Sequence, residues 1–238
     1  MHREYTKWFS HRLNRDMELL IFGHAGTPVL VFPTSMGKFF EFEDRGMVET
    51  VRWQVENGHL MFFCVDGIDK ESFYCSWAHP AGRIRRHVLY DDYVLNEVVP
   101  LMRHRSGHDK VVTAGASFGA YHCFNFAMRH PEAVHRCVAM SGAYDIRSFL
   151  DGYYDNEVYF NNPVDYLSNL SDGWYLDQYR HHLKIVLAAG EHDICLGPTQ
   201  QMSAILNHKG IPHWYDFWGL GAVHDWPLWR EMMRKYFA

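Results

Sequence analysis

Apolar residues recur along the chain with two spacings, and the two spacings alternate. Near the start, Glu4–Ser10 and Met17–Phe22 flank a turn around Leu13-Asn14-Arg15-Asp16, the pattern of a β-hairpin. Pro28-Val29-Leu30-Val31-Phe32-Pro33 is a short continuous apolar run bounded by turn residues, as expected of a strand buried on both faces. Leu60–Val65 reads the same way. Between these runs, Glu41–Glu56 predicts a helix with Met47, Val48, Val51 and Val55 on one face and Gly58 beyond its end. A longer helical pattern covers Ile84–Arg103, with Val88, Tyr93, Leu95, Val98, Val99 and Met102 at its apolar positions. Lys110–Ala114 then predicts a strand and Ser117–Arg129 a helix.

The second half continues with strands at Arg136–Met140, Lys184–Ala189 and His213–Trp218 and helices at Pro198–Asn207 and Trp226–Tyr236. From about residue 143 to 180 the periodicity gives way to aromatic and polar residues with turn signals, which reads as a cap or rim of short helices and loops. An antiparallel start followed by strand–helix alternation implies an α/β fold: one mostly parallel central sheet with an antiparallel N-terminal hairpin and helices on both faces. The 238 residues fit a single domain. In such sheets ligands meet the carboxyl ends of the strands.

Composition narrows the function. An apolar fraction of 47% excludes a disordered chain, and a formal net charge of −5 argues against nucleic acid as the main partner. The apolar runs fall far short of the roughly 20 residues of a membrane span, and Met1-His2-Arg3-Glu4-Tyr5 has no apolar signal region. Cys64, Cys75, Cys123, Cys137 and Cys195 are odd in number, without C-x-x-C spacing, so neither a disulfide framework nor a zinc ribbon is expected. These features predict a cytoplasmic protein with no membrane partner and leave a homo-oligomer open. The 38 aromatic residues predict both a large aromatic core and an aromatic-lined pocket.

The candidate chemistry starts at Gly115-Ala116-Ser117-Phe118-Gly119, a G-x-S-x-G segment between a predicted strand and a predicted helix. That context lifts the Ser117 hydroxyl above the sheet as a nucleophile. Serine needs a base to take its proton and an acid to orient the base. His224, in the loop before the last helix, is the base candidate. Asp193 is the first choice of acid, because a few residues beyond the strand are needed to reach the histidine; Glu191 is the alternative. Asp225 reads as the N-cap of the final helix. Backbone N–H groups of Phe118 and of Ser35, or else Met36, are the expected oxyanion donors. Met36 and Trp77 are expected to line the substrate pocket. The histidine pairs His104/His108 and His181-His182 lack the helix and carboxylate of a metalloprotease motif, so neither metal nor cofactor is expected.

With these residues in hand, the chain resembles the esterase family of α/β-hydrolases that includes esterase D (S-formylglutathione hydrolase) and the mycolyltransferases. The resemblance is carried by Ser72-Phe73-Tyr74-Cys75-Ser76-Trp77, Tyr90–Pro100, the Gly115–Gly119 elbow, Asn162–Leu167 and His224-Asp225-Trp226-Pro227-Leu228-Trp229. It implies the α/β-hydrolase fold and a Ser117–His224–Asp193 triad that works without a cofactor. The loop Pro33-Thr34-Ser35 departs from the His-Gly or Asp-Gly sequence frequent in that family. The expected activity is a serine carboxylesterase acting on a small ester through an acyl-enzyme. A thioesterase or acyltransferase with the same triad is the alternative, and a non-catalytic binding protein on this fold a more distant one.

Overall fold

The two-residue alternation inside each apolar strand sorts its side chains onto two faces of one sheet. Leu30 and Phe32 pack into one core with Leu19, Ile21, Met61 and Phe63, while Val29 and Val31 pack into a second with Leu20, Phe22, Phe62 and Cys64. In the computed structural model, which describes all 238 residues, eight strands form that sheet: β1 Arg3–Ser10, β2 Arg15–Phe22, β3 Thr27–Phe32, β4 Leu60–Val65, β5 Val111–Ala116, β6 Val134–Met140, β7 Lys184–His192 and β8 Trp214–Val223. Their spatial order is β1-β2-β4-β3-β5-β6-β7-β8. β1 pairs with β2, and β2 with β4, in antiparallel fashion; every other pair is parallel. This is the α/β-hydrolase fold expected from the sequence, with its N-terminal hairpin.

The helices cover both faces. On one side lie α1 Glu41–Asp44, α2 Arg52–Glu56 and α10 Trp226–Phe237; on the other lie α3 Pro80–Tyr93, α4 Val99–Ser106, α5 Phe118–Arg129 and α9 Leu196–His208. Between β6 and β7 the chain forms α6 Asn156–Tyr159, α7 Pro163–Asn169 and α8 Gly173–His181. No helix is long and apolar enough to cross a membrane.

Three expectations need correction. The single helix over Glu41–Glu56 is broken, because Gly46 takes a left-handed φ of 66° and starts a turn. The buried residues Met47, Val48, Val51 and Val55 still share one face, carried by a 3₁₀ turn and α2. The long helix starts earlier, at Pro80, and widens into a π turn at Val94–Val98, where the Val99 amide bonds to Val94 O, five residues back. Pro100 has no N–H for the ordinary bond four residues back, and the widened turn falls just ahead of it. Finally, β7 and β8 run on past their apolar segments to His192 and Val223, so the glycine-rich stretch before His224 is strand instead of loop.

Candidate active site

β5 ends in a sharp turn flanked by two glycines at which a Cβ would not fit. Ser117 has φ 56° and ψ −124°, a conformation few non-glycine residues adopt, and its amide is held by Met140 O at 2.9 Å. A Cβ on Gly115 would stand 2.2 Å from Gly119 O, and one on Gly119 would stand 2.5 Å from Phe32 O. The two glycines therefore let α5 press against β5 and against the end of β3. That contact sets Ser117 at the N-terminus of α5, beside the loop that follows β3.

The candidate acid and the candidate base come from one ribbon. β7 and β8 pair as far as His192 and Val223, with a bulge at Gly190, so Asp193 and His224 leave the ribbon side by side. His224 Nδ1 donates to Asp193 Oδ1 at 2.7 Å, since a carboxylate only accepts. His224 Nε2, which then carries no proton, accepts from Ser117 Oγ at 3.0 Å. The Cys195 amide also donates to Asp193 Oδ1, at 2.7 Å. Burial pushes the Asp193 carboxyl up, but the hydrogen bonds from His224 and the Cys195 amide, together with the nearby Ser141 hydroxyl, outweigh it and hold the carboxyl below the usual aspartate range. Glu191 points elsewhere, accepting the Gly221 amide at 2.8 Å. Asp225 caps α10 by accepting from the Trp226 amide at 2.7 Å.

These residues sit in a matching family frame. A family model described as alpha/beta hydrolase fold matches residues 74–227. The chain belongs to that family. No curated protein matches it by sequence. Among solved structures, a ferulic acid esterase superposes with a TM-score of 0.80 at 17% identity, over 99% of this chain and 96% of that one. An S-formylglutathione hydrolase from Agrobacterium tumefaciens gives 0.77 at 14% identity, over 99% and 92%. One from Staphylococcus aureus gives 0.70 at 14% identity, over 98% and 94%.

The loop after β3 in this α/β-hydrolase is fastened on both sides by carboxylates. Glu41 takes the Thr34 amide and the Thr34 hydroxyl, each at 2.8 Å. Burial pushes the Glu41 carboxyl up, against the pull of those two Thr34 donors. Asp69, nearly fully buried, takes the Met36 amide on Oδ2 at 2.8 Å and His122 Nε2 on Oδ1 at 3.3 Å. The Gly37 amide closes a turn onto Thr34 O at 2.9 Å. Ser35 is thus the one residue from Thr34 to Gly37 whose amide has no acceptor. Its hydroxyl accepts from Tyr74 at 2.9 Å.

The aromatic residues divide. Tyr74 and Phe149 stand around the ring of Phe118, at centroid distances of 5.8 and 5.1 Å. Met36 is 44% exposed at the edge of the loop, whereas Trp77 is 88% exposed. Turns within the Ser72–Ala78 segment point Phe73 and Cys75 inward and leave Trp77 in solvent, so Tyr74, not Trp77, reaches the elbow from that segment. Tyr159 and Phe160 line a separate cavity of about 570 Å³ against α7 and α8. The Asp193, Cys195 and His224 side chains form a group with metal-ligand chemistry, their ligand atoms within 4.8 Å of one another, but Asp193 and His224 already bond each other there.

Sequence reasoning missed Glu41 and Asp69, the carboxylates that fasten the loop after β3. Of these two, Asp69 left a usable signal. It lies just past the carboxyl end of β4, the edge of the sheet where sites form.

Proposed function

We propose that the protein is a serine carboxylesterase that uses Ser117, His224 and Asp193 as its triad. The observation that carries this reading is the unbroken line from Ser117 Oγ through His224 Nε2 and Nδ1 to Asp193 Oδ1, at 3.0 and 2.7 Å. Ser117 Oγ attacks the ester carbonyl carbon while His224 Nε2 takes its proton. Asp193 stabilises the imidazolium so formed. The carbonyl oxygen becomes an oxyanion, which accepts from the Phe118 amide at the start of α5 and from the Ser35 amide. His224 then protonates the leaving alcohol, and the acyl group remains on Ser117. A water that gives its proton to His224 attacks the acyl-enzyme, the carboxylic acid leaves, and Ser117 recovers its proton.

The free Ser35 amide supports this assignment of the second donor, because a loop amide without an acceptor beside a nucleophile is open to an incoming oxygen. Met36 edges the entrance in this reading. The solved relatives named above include a ferulic acid esterase and S-formylglutathione hydrolases, and an acyl ester is the substrate class consistent with them.

The test is hydrolysis of p-nitrophenyl esters of increasing acyl length, together with labelling by a fluorophosphonate. Saturable hydrolysis and labelling at Ser117 are the expected results. A protein that neither turns over any ester nor labels at Ser117 would be a binding module on this fold.

A further inference from the structure

The two oxygens of Asp193 are treated unequally. Oδ1 takes His224 Nδ1 and the Cys195 amide. Oδ2 is buried and lies outside ordinary hydrogen-bond geometry of every donor. Ser141 is the neighbouring side chain whose hydroxyl helps to hold the carboxyl below its usual range.

Ser141 follows the last residue of β6 and is completely buried, with its amide on Ala188 O at 2.7 Å. Its φ is 58°, where glycine would be the easier residue. A side chain kept in that conformation points to a use for the hydroxyl. Trp229 Nε1 donates to Ser141 Oγ at 2.9 Å. An indole N–H can only donate, so Ser141 is the acceptor in that bond and its own proton is left for another oxygen.

Trp229 also touches the base. Its ring meets the His224 imidazole edge-on, at 5.0 Å between centroids and 87° between planes. Trp226 braces it in turn at 4.9 Å and 82°. One indole on the first turn of α10 thus contacts the base directly and donates to the hydroxyl beside the acid.

We propose that Ser141 and Trp229 are positioning residues of the acid–base pair. The Trp229 N–H turns the Ser141 hydroxyl toward Asp193 Oδ2, and the Trp229 ring fixes the plane of His224. The inference rests on the triad reading above. With the Ser141 proton turned to Oδ2, the carboxylate's charge is shared among three donors. Without it, more of that charge faces His224, the imidazolium is favoured, and more base is lost to protonation at a given pH.

The experiment measures kcat, KM, the pH profile and Tm for Ser141→Gly, Ser141→Ala, Trp229→Phe and the Ser141→Gly/Trp229→Phe pair, with p-nitrophenyl acetate. Ser141→Gly removes the hydroxyl and relieves the backbone at φ 58°, so this variant folds even if Ser141→Ala does not. Its kcat is expected to fall on the order of tenfold with KM nearly unchanged, and the acid limb of kcat/KM to move to higher pH. Trp229→Phe keeps a ring against His224 and is expected to lose less, in the same direction. The pair is expected to match Ser141→Gly alone, because the N–H acts through that hydroxyl. A folded Ser141→Gly with wild-type kcat and acid limb would overturn the proposal. So would a fall in Tm with both unchanged, which marks a purely structural role. Ser117→Ala, run in parallel, separates the two readings. Turnover retained there overturns the triad and this proposal with it, whereas an inactive Ser117→Ala beside a wild-type-like Ser141→Gly overturns the proposal alone.

Discussion

Asp69 holds the amide of Met36, 33 residues back along the chain, at 2.8 Å. That bond occupies the Met36 amide, so in the proposed mechanism the Ser35 amide, which has no acceptor, is the second oxyanion donor. Ser35→Pro deletes the amide proton, and Ser35→Ala controls for the hydroxyl that both variants lose. Its kcat is expected to fall 10²–10³-fold, about 3–4 kcal/mol of transition-state stabilisation. Ser35→Ala keeps the amide and is expected to stay within about threefold of wild type. Equal rates for the two variants would place the donor elsewhere.

Ser117→Ala is expected to abolish esterase turnover and fluorophosphonate labelling while Tm moves by only a few degrees. The strained φ of 56° belongs to the backbone and persists in the variant. The check is a rate assay paired with a thermal melt. Turnover at the wild-type rate would mean that another nucleophile does the work.

Two carboxylates lie two positions apart, and their partners predict opposite outcomes. Asp193→Asn presents His224 with an amide that can hold the wrong imidazole tautomer, so kcat is expected to fall by about 10⁴. Glu191→Gln keeps an oxygen for the Gly221 amide and is expected to change kcat by less than about threefold. A crippled Glu191→Gln beside a mild Asp193→Asn would reverse the assignment of the acid.

Features that constrain the backbone locally were readable from the residues. Gly115 and Gly119 stand where a Cβ cannot, and that exclusion marks the elbow in any sequence that builds it. The apolar strands β3 to β6 were equally plain, since both of their faces are covered. The choice between Ser35 and Met36 was not readable, because Glu41 and Asp69 make it through tertiary contacts. The far halves of β7 and β8 also escaped notice. They are largely exposed and held by pairing with each other, so no apolar alternation marks them. The break at Gly46 was overridden by an apolar spacing that still holds on either side of it.

Acid should weaken the fold partly through Asp193. Its folded-state carboxyl lies below the ordinary value, so its contribution is present in full above the unfolded pKa, near about 3.9, and is lost as pH falls through the lower folded value. The stability gap between wild type and Asp193→Asn is therefore expected to be widest near neutral pH and to close below about pH 4. Urea midpoints at pH 7 and pH 3 measure it. Glu41, raised by burial, has the opposite sign: its contribution is present below the unfolded pKa and fades as pH rises through the folded one.

Gly119→Ala adds a methyl 2.5 Å from Phe32 O and 2.6 Å from Pro33 O, both backbone atoms that have little room to yield. A loss of about 1–3 kcal/mol of stability is expected from overpacking. Activity is expected to fall further than stability accounts for, because the same contact spaces Ser117 from the oxyanion loop. Urea unfolding and kcat of the surviving folded protein test both parts.

The β7–β8 ribbon gives the site a mechanical seam. Asp193 and His224 leave the same two-stranded arm, tied across by Glu191 and Gly221, while Ser117 belongs to the elbow between β5 and α5. The 2.7 Å bond lies within the ribbon and the 3.0 Å bond joins the ribbon to the elbow. In the proposed mechanism the histidine and the aspartate thus share one support while the serine has another, so a change at the elbow alters the 3.0 Å contact and leaves the 2.7 Å pair assembled.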